Sequence, residues 1–323
     1  MTHPKKYIRG PFHLKISEFI AFRKSLGFAM LNAAYVFNEF DDYLAKNYGK
    51  TKIITRSMVV EYLATTKHLH SRSRNYRVIL IRGFCRYLYQ QDSRNYIPEK
   101  RILPNTSHKL VPYIFSDGDI TRIIKKIQSG PKRKIISITN STVVRLLAVT
   151  GLRVSEACRL NVSDVDLKSG ILHIQRSKFY KSRIVPISKT TISALIYYKQ
   201  TRMGYFRTTD PLAPFFVGMT GNRIIKESVG RSFRRTVRAL KIRGDTGNTW
   251  PRVHDLRHTF ATRSLENIVQ AGSDPQAYLP ALATYLGHVN LDYTQTYLHP
   301  SIELLRTAGN RFNNYLKSAQ TGI

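Results

Sequence analysis

The sequence has few cysteines, few acidic residues and no long hydrophobic run. Its 323 residues include two cysteines, Cys85 and Cys158, which lie far apart in apolar surroundings. This usage excludes a disulfide framework and a zinc site built on cysteine, and it fits a reducing compartment. We therefore expect two buried thiols, a cytoplasmic protein, and neither a resident metal nor another cofactor.

The apolar runs are too short to cross a membrane. One of the longest, "ALIYY" at 194–198, is far below the roughly 20 residues that a transmembrane helix requires. The N-terminal "MTHPKKYIRG" has basic residues with no apolar stretch behind them, so we recognise no secretory signal. We expect neither a membrane span nor a membrane partner.

Positive charge dominates the ionisable residues. Lys and Arg number 52 against 20 Asp and Glu, which gives a formal net charge of +32 spread along the whole chain. Apolar residues make up 42% of the sequence, so the chain is globular and not a disordered basic tail. A basic excess over so much folded chain indicates a long polyanionic partner, with nucleic acid as the first candidate.

Hydrophobic periodicity predicts a mainly helical protein of two domains. Prolines and basic residues without periodicity between 98 and 113 indicate a boundary, so we predict a helical domain at 1–103, a linker at 104–113 and a second domain at 114–323. Helices are expected at 12–28, 32–49, 57–66 and 72–91, then from Ser116 to about 128, and at 189–201, 226–241, 255–270, 275–286 and 291–297. Two β-rich runs within 170–188 flank a basic turn and predict a β-hairpin.

The predicted helix 72–91 is rich in arginine. Its apolar face is expected to contain Ile79, Gly83, Phe84, Tyr87 and Leu88. Its basic residues are Arg72, Arg74, Arg77, Arg82 and Arg86. Such a run is either a solvated face or a phosphate-binding face, and the lack of nearby acidic residues favours phosphate contact.

Three clusters in the second domain contain residue types suited to chemistry. "TGLRVSEACRL" (150–160) places Arg153 in a turn that begins with glycine, and Glu156 follows one helical turn later. "HDLRHTFATR" (254–263) places His254 and Arg257 on one helix face. "LGHVNLDYTQTY" (286–297) places His288 beside tyrosines. Each cluster alone has an ordinary structural explanation, such as an ion pair, a capped helix or a satisfied histidine.

Together the clusters contain the groups needed for phosphoryl transfer without a metal. Guanidinium groups neutralise phosphate oxygens bidentately, and an attacking phenol needs a base or a strongly cationic surround. Tyr293 and Tyr297 are one helical turn apart, so periodicity does not choose between them as the nucleophile. Tyr285 is most simply a packing residue.

These motifs, in this order over about 150 residues, resemble the tyrosine recombinase family, which includes the phage integrases and Xer-like recombinases. The resemblance implies a helical N-terminal core-binding (SAM-like) domain and a mixed α+β catalytic domain with a small β-hairpin or sheet. The family's nucleophile usually falls nine residues after the histidine of the last motif. That position is Tyr297, which the resemblance identifies as the residue that forms a 3′-phosphotyrosyl bond.

The resemblance also implies roles for the other motif residues. Arg153 and Arg257 correspond to the pair that clamps the scissile phosphate, and His288 to the donor to its non-bridging oxygen. His254 occupies the position of a His or Lys that assists the transition state or the tyrosine proton. Glu156 occupies the acidic position that orients the first arginine.

The family's general acid is a lysine on a basic hairpin turn, which aligns with Lys178 here. Lys181 is close enough to be an alternative, and it is also a candidate DNA contact. The tip carries "FY" (179–180), where small polar residues are usual, and the segment 269–282 is longer than the common form, which suggests an insertion or a longer turn.

The implied function is a site-specific recombinase that cleaves and rejoins double-stranded DNA through a Holliday junction, without metal or ATP. It would act as a homotetramer, or as a mixed tetramer with related recombinases, and be monomeric off DNA. Integration, excision or transposition of a mobile element in the bacterial nucleoid is the expected role. A type IB topoisomerase and a catalytically silent DNA-binding accessory factor are the alternatives. The helical stretch 301–318 either packs on its own domain or is donated to a neighbouring protomer.

Overall fold

The fold is described from a computed structural model, which describes residues 10–28, 30, 32–103, 111–130, 134–175, 182–244 and 250–287. The chain divides into two compact units, Met1–Leu110 and Val111–Ile323. The described residues are mainly helical and contain one small antiparallel sheet. The predicted fold class is therefore confirmed. None of the helices in the described ranges is long and apolar enough to cross a membrane.

The first unit contains four helices, close to where the periodicity predicts them. They are α1 (His13–Ser25), α2 (Ala33–Tyr48), α3 (Arg56–Thr65) and α4 (Ser71–Tyr89). Their buried faces meet in a core rich in aromatic rings, in which the rings of Phe19, Phe37 and Phe84 lie with centroids 5.6 to 5.7 Å apart. Aromatic pairs at such tilted and edge-to-face angles stabilise a core beyond their area burial.

The buried face of α4 differs from the predicted one. Its buried apolar residues are Val78, Ile81, Phe84, Cys85 and Leu88, which follow the three- and four-residue spacing of a single helix face. Ile79, predicted to be in the core, lies outside this stripe and is 67% exposed.

Arg77 occupies the same buried stripe, which favours a structural role over its predicted DNA contact. Its side chain is 9% exposed, and its Nη2 donates to Oε2 of Glu39 at 2.7 Å. Burial together with a carboxylate partner from another helix favours a structural role for Arg77, because removing it would leave the Glu39 carboxylate without its partner. Arg72 and Arg86 are exposed and Arg74 and Arg82 half-buried, so these four remain candidates for phosphate contact.

The second unit contains seven helices and three short strands within the described ranges. In chain order they are α5 (Asp117–Gln128), α6 (Lys134–Thr150), α7 (Val154–Arg159), a 3-10 turn (Val162–Asp164), β1 (Val165–Asp166), β2 (Ile171–Ile174), β3 (Arg183–Pro186), α8 (Lys189–Tyr205), α9 (Lys226–Ala239), α10 (Asp255–Gln270) and α11 (Pro275–Leu286). The predicted capping box is present, since Oγ of Ser116 accepts from the Asp119 amide at 3.0 Å and Oδ2 of Asp119 accepts from the Ser116 amide at 3.3 Å. The helices predicted at 291–297 and 301–318 lie outside the described residues.

The predicted hairpin is present and gains a third strand that the sequence did not indicate. β2 pairs antiparallel with β1 and β3, with Leu172 opposite Val185. Leu172, Ile174 and Val185 are buried on one face, whereas Ile184 on the other face is 59% exposed. This alternation anchors the sheet to the core of the unit on one side only.

Helix α6 is the centre of the second unit. It packs against α5, α8, α9 and α10, and it buries Val143, Val144, Leu146 and Leu147. Because it is covered on several sides, its sequence has no clean polar face, and periodicity did not identify it. Cys158 in α7 and Cys85 in α4 are both buried, as predicted.

The segment 269–282 contains no inserted loop. Val269 and Gln270 end α10, a four-residue turn follows, and α11 begins at Pro275. Oδ1 of Asp274 accepts from the Gln276 amide at 2.9 Å and caps the new helix. The segment thus forms an ordinary connection between two helices, and its greater length relative to the common form of the family stays a prediction.

Candidate active site

The turn that presents Arg153 favours glycine at position 151. Gly151 follows the end of α6 with φ of +61°, and a Cβ there would lie 2.6 Å from Cδ1 of Phe260 and 2.9 Å from Cδ2 of Leu286. Both the left-handed backbone and the close approach disfavour a larger side chain. The turn releases the chain from α6 and places Arg153 directly before α7.

Glu156 holds both the backbone and the side chain of Arg153. Its Oε2 accepts from the Arg153 amide at 2.9 Å, and its Oε1 accepts from Nη1 of Arg153 at 2.8 Å. The carboxylate therefore caps the start of α7 and fixes the direction of the guanidinium. This is the contact that the predicted orienting role of Glu156 requires.

Arg257 lies in the first turn of α10, which begins at Asp255. Oδ2 of Asp255 accepts from the Arg252 amide at 2.8 Å and so holds the segment that leads into the helix. Arg257 is 2% exposed, and its Nη1 donates to the Gly151 carbonyl at 2.9 Å. Its Nη2 donates to the Leu286 carbonyl at 2.7 Å. One buried side chain thus joins all three sequence motifs.

The C-terminal end of α11 is the point at which these segments converge. Gly287 ends the helix in the left-handed conformation, with φ of +70°, and its carbonyl accepts from Nη2 of Arg153 at 3.0 Å. The Leu286 carbonyl accepts from Arg257, and the Tyr285 carbonyl accepts from Nε of Arg183 at 2.8 Å. Guanidinium groups here satisfy carbonyls that have no partner within the helix, at the negative end of its dipole.

Arg183 is a member of this cluster that the sequence analysis missed. It is the first residue of β3, its side chain is 10% exposed, and its Nη1 and Nη2 donate to Oε1 and Oε2 of Glu156 at 3.1 and 2.8 Å. Its only sequence signal is a charge at the start of an apolar strand. In a chain with 52 basic residues that signal does not stand out.

The cluster has an excess of positive charge. Arg153 and Arg183 both pair with the buried carboxylate of Glu156, and Arg257, bonded to the Gly151 carbonyl, adds a third guanidinium. Burial alone would raise the pKa of Glu156, but the hydrogen bonds and charges of Arg183 and Arg153 outweigh it and hold that pKa at about 2. Glu156 is thus ionised at neutral pH, and the net positive charge suits the site to bind an anion.

His254 precedes α10 and forms a pair with His258. The two rings are 5.0 Å apart and nearly perpendicular. The pKa of His254 lies below its ordinary range, first because neighbouring protein atoms desolvate it and then because His258 and Arg257 add positive charge. The lowered pKa leaves the imidazole neutral at neutral pH. Although protein atoms surround part of the ring, the residue is exposed at the surface and is accessible to a ligand.

The structure brings together some of the predicted site residues and does not describe others. Arg153, Glu156 and Arg257 form one hydrogen-bonded cluster, and His254 lies at the start of the helix that carries Arg257. The other predicted catalytic residues, Lys178, His288 and Tyr297, lie outside the described residues, as does Lys181. The catalytic roles of all these residues remain predictions.

Sequence comparison identifies a family for this site. Residues 115–303 match the sequence model of the phage integrase family. The putative integrase/recombinase y4rB of Sinorhizobium fredii is 33% identical over 304 residues, covering 93% of this chain and 96% of the relative. Tyrosine recombinase XerC of Pelobacter propionicus is 29% identical over 237 residues, covering 73% of this chain and 72% of the relative.

Solved structures share the fold. XerH recombinase bound to palindromic difH substrate in a post-cleavage complex matches with a TM-score of 0.69 at 18% identity, covering 97% of this chain and all of that chain. A lambda integrase tetramer bound to a Holliday junction matches with a TM-score of 0.62 at 15% identity, covering 86% and 77%. The chain belongs to the phage integrase family and is a tyrosine-type recombinase that breaks and rejoins DNA.

Proposed function

We propose that this recombinase cleaves duplex DNA by attack of Tyr297 on a phosphate bound between Arg153 and Arg257. The observation that carries the proposal is the pair of hydrogen bonds from Arg257 to the carbonyls of Gly151 and Leu286. They bring the segment that contains Arg153 to the end of α11, directly before the segment that contains Tyr297. The family resemblance supplies the role of the tyrosine, and the described geometry supports the arginine cluster.

The two arginines are suited to different parts of the clamp. Arg153 has 23% of its side chain exposed and is held in one direction by Glu156, so it can meet the phosphate from the accessible side. Arg257 is covered and fixed by two carbonyls, so its positive charge is preorganised and does not need to reorient during the reaction. Together they stabilise the charge that develops on the equatorial oxygens of the pentacoordinate phosphate.

Two proton transfers accompany the exchange. The phenol of Tyr297 loses its proton as its oxygen bonds to phosphorus, and His254, which occupies the family position that assists the tyrosine proton, is the proposed acceptor. The bond from phosphorus to the 5′ oxygen breaks, and Lys178 protonates that oxygen while His288 donates to a non-bridging oxygen. The 5′-hydroxyl of a second strand then reverses these steps and regenerates Tyr297, so the phosphate ester is conserved and no ATP is consumed.

The assembly we propose is four protomers on a Holliday junction. The lambda integrase tetramer bound to such a junction shares this fold and supports the arrangement. The four protomers would be copies of this chain or would include related recombinases, and the chain would be monomeric off DNA. Integration, excision or transposition of a mobile element is the proposed role, supported by the relative described as a putative integrase/recombinase.

Covalent trapping on nicked DNA tests the proposal. The wild-type protein and the variants Tyr297→Phe and Tyr293→Phe are incubated with nicked duplexes from DNA that flanks the gene, and the products are separated on denaturing gels. We expect an adduct that survives EDTA, is lost with Tyr297→Phe and is retained with the matched control Tyr293→Phe. An adduct lost only with Tyr293→Phe would identify Tyr293 as the nucleophile in place of Tyr297.

Two further results would contradict the proposal. Tight binding without an adduct on any fragment, including host DNA with related recombinases added, would favour an accessory DNA-binding role. Relaxation of supercoiled plasmid without recombinant products would favour a topoisomerase.

A further inference from the structure

We propose that Arg183 is a positioning residue of the cleavage reaction, which holds Arg153 toward the scissile phosphate through their shared partner Glu156. This inference rests on the proposed function, because it assigns Arg183 to the same site. Arg183 does not belong to the three sequence motifs, and it comes from β3, which none of them includes.

The contacts of Arg183 require an arginine. Nη1 and Nη2 donate to the two oxygens of Glu156 at 3.1 and 2.8 Å, while Nε donates to the Tyr285 carbonyl at 2.8 Å. A planar guanidinium can make these three bonds at once, whereas the ammonium of a lysine is a single point of charge. The side chain is 10% exposed, so these protein groups enclose it.

The end of α11 is shaped to admit this side chain. A Cβ at Gly287 would lie 2.8 Å from Nη1 and 3.0 Å from Cζ of Arg183. Gly287 therefore both allows the left-handed turn and leaves room for the guanidinium. Arg183 thus links the base of the β-hairpin to the residues directly before position 288.

The effect on Arg153 follows from the sharing of Glu156. Oε1 of Glu156 accepts from Arg153 at 2.8 Å and from Arg183 at 3.1 Å, and Oε2 accepts from the Arg153 amide and from Arg183. Without Arg183, a buried carboxylate would turn more fully to Arg153 and neutralise more of its charge. The phosphate would then meet a weaker and differently directed guanidinium.

A chemical substitution in the DNA distinguishes this role from general structural support. A methylphosphonate at the scissile position replaces a non-bridging oxygen with a methyl group and removes the phosphate's negative charge, so cleavage depends less on the guanidinium clamp. Single-turnover cleavage by wild type, Arg183→Lys and Arg183→Ala is measured on a nicked duplex that traps the wild-type enzyme, and on the same duplex with the methylphosphonate. DNA affinity and thermal unfolding are measured on the same samples.

Arg263 provides a matched control within the same unit. Like Arg183, it joins a carboxylate to a carbonyl, since it pairs with Asp117 and its Nη2 donates to the Phe115 carbonyl at 2.7 Å. Among the described residues, Arg263 makes no hydrogen bond or ion pair with Glu156 or with the end of α11. Arg263→Lys therefore reports the cost of losing a structural arginine at another position of this fold.

On the phosphate we expect both Arg183 variants to cleave roughly 10- to 100-fold more slowly than wild type, with DNA affinity within about threefold. On the methylphosphonate, the reduction in cleavage rate caused by the Arg183 variants should shrink to a few-fold, and Arg263→Lys should show no difference between the two substrates.

An equal reduction on both substrates would show that Arg183 is only structural. Cleavage of the phosphate by the Arg183 variants at the wild-type rate would overturn the inference. If Arg183→Ala does not fold, the two substrates are compared with Arg183→Lys alone. Wild-type protein that forms no adduct would contradict the proposed function, and this inference with it.

Discussion

Nη2 of Arg257 donates to the carbonyl of Leu286 at 2.7 Å, joining residues that are 29 positions apart in the chain. The same guanidinium reaches the Gly151 carbonyl, 106 positions earlier. Three motifs that are separate in sequence thereby become one cluster. The arginine consequently has two functions, since it holds the backbone of the site together and contributes positive charge to it.

This double role predicts different outcomes for the two clamp arginines. Arg153→Ala should abolish covalent trapping and change the unfolding free energy by less than about 1 kcal/mol, because Glu156 keeps its bonds to Arg183. Arg257→Ala should also abolish trapping. It should in addition lower the unfolding free energy by roughly 2 to 4 kcal/mol, because it leaves two buried carbonyls without their donor. Urea unfolding followed by fluorescence of Trp250, the single tryptophan, reports the second unit. If Arg153→Ala lost DNA affinity and trapping equally, that arginine would be structural.

Glu156 predicts a pH dependence of stability. Its pKa is lowered from an ordinary 4.5 to about 2 in the folded protein, so the ionised form contributes stability that is complete above about pH 4.5. That contribution, about 3 kcal/mol, is lost as the pH falls from about 4.5 to about 2. Glu156→Gln does not titrate, so its unfolding free energy should fall less than that of wild type over this range. Parallel curves for the two proteins would contradict the assigned pKa.

A comparison of alanine substitutions at Gly151 and Gly272 separates the effect of backbone strain on stability from the effect of packing. Gly151 and Gly272 both have positive φ, but a Cβ at Gly151 would meet Phe260 and Leu286, whereas at Gly272 it would meet nothing within 4 Å. Gly272→Ala should lower the unfolding free energy by about 1 kcal/mol, because only the left-handed backbone disfavours the new side chain. Gly151→Ala adds steric overlap and should cost roughly 3 kcal/mol in total, with loss of trapping. Equal costs, measured by urea unfolding, would show that the neighbours of Gly151 move aside.

The arginines of α4 predict different effects on DNA binding. Arg86 is exposed, so Arg86→Gln should weaken binding and reduce the slope of log K against log salt by about 0.9, the contribution of one neutralised phosphate. Arg77→Gln removes the buried pair with Glu39, so it should lower stability by roughly 2 kcal/mol and leave that slope unchanged. Binding titrations between low and physiological salt measure the slope, and circular dichroism measures the unfolding. A reduced slope for Arg77→Gln would restore it to the DNA-contacting set.

Much of the fold could be predicted from the sequence because its signals are local. The Ser116 capping box, the hairpin within 170–188 and the start of α11 at Pro275 depend on neighbouring residues, and the structure has them where they were expected. Helix α6 was not identified, because a helix buried on several sides lacks the polar face that periodicity detects. The phase of α4 was misjudged because Ile79 and Val78 are adjacent apolar residues, and composition alone does not say which one faces the core.

The sequence by itself determined the composition of the site, namely its basic charge and the arginine, histidine and tyrosine motifs in their order. The family resemblance of those motifs assigned their expected roles. Only the tertiary structure decided which arginines are buried beside a carboxylate, as Arg77 is beside Glu39 and Arg183 beside Glu156. How far an arginine supports the fold depends on its burial and on partners that are distant in sequence. Those partners are brought close only when the helices and the sheet pack together.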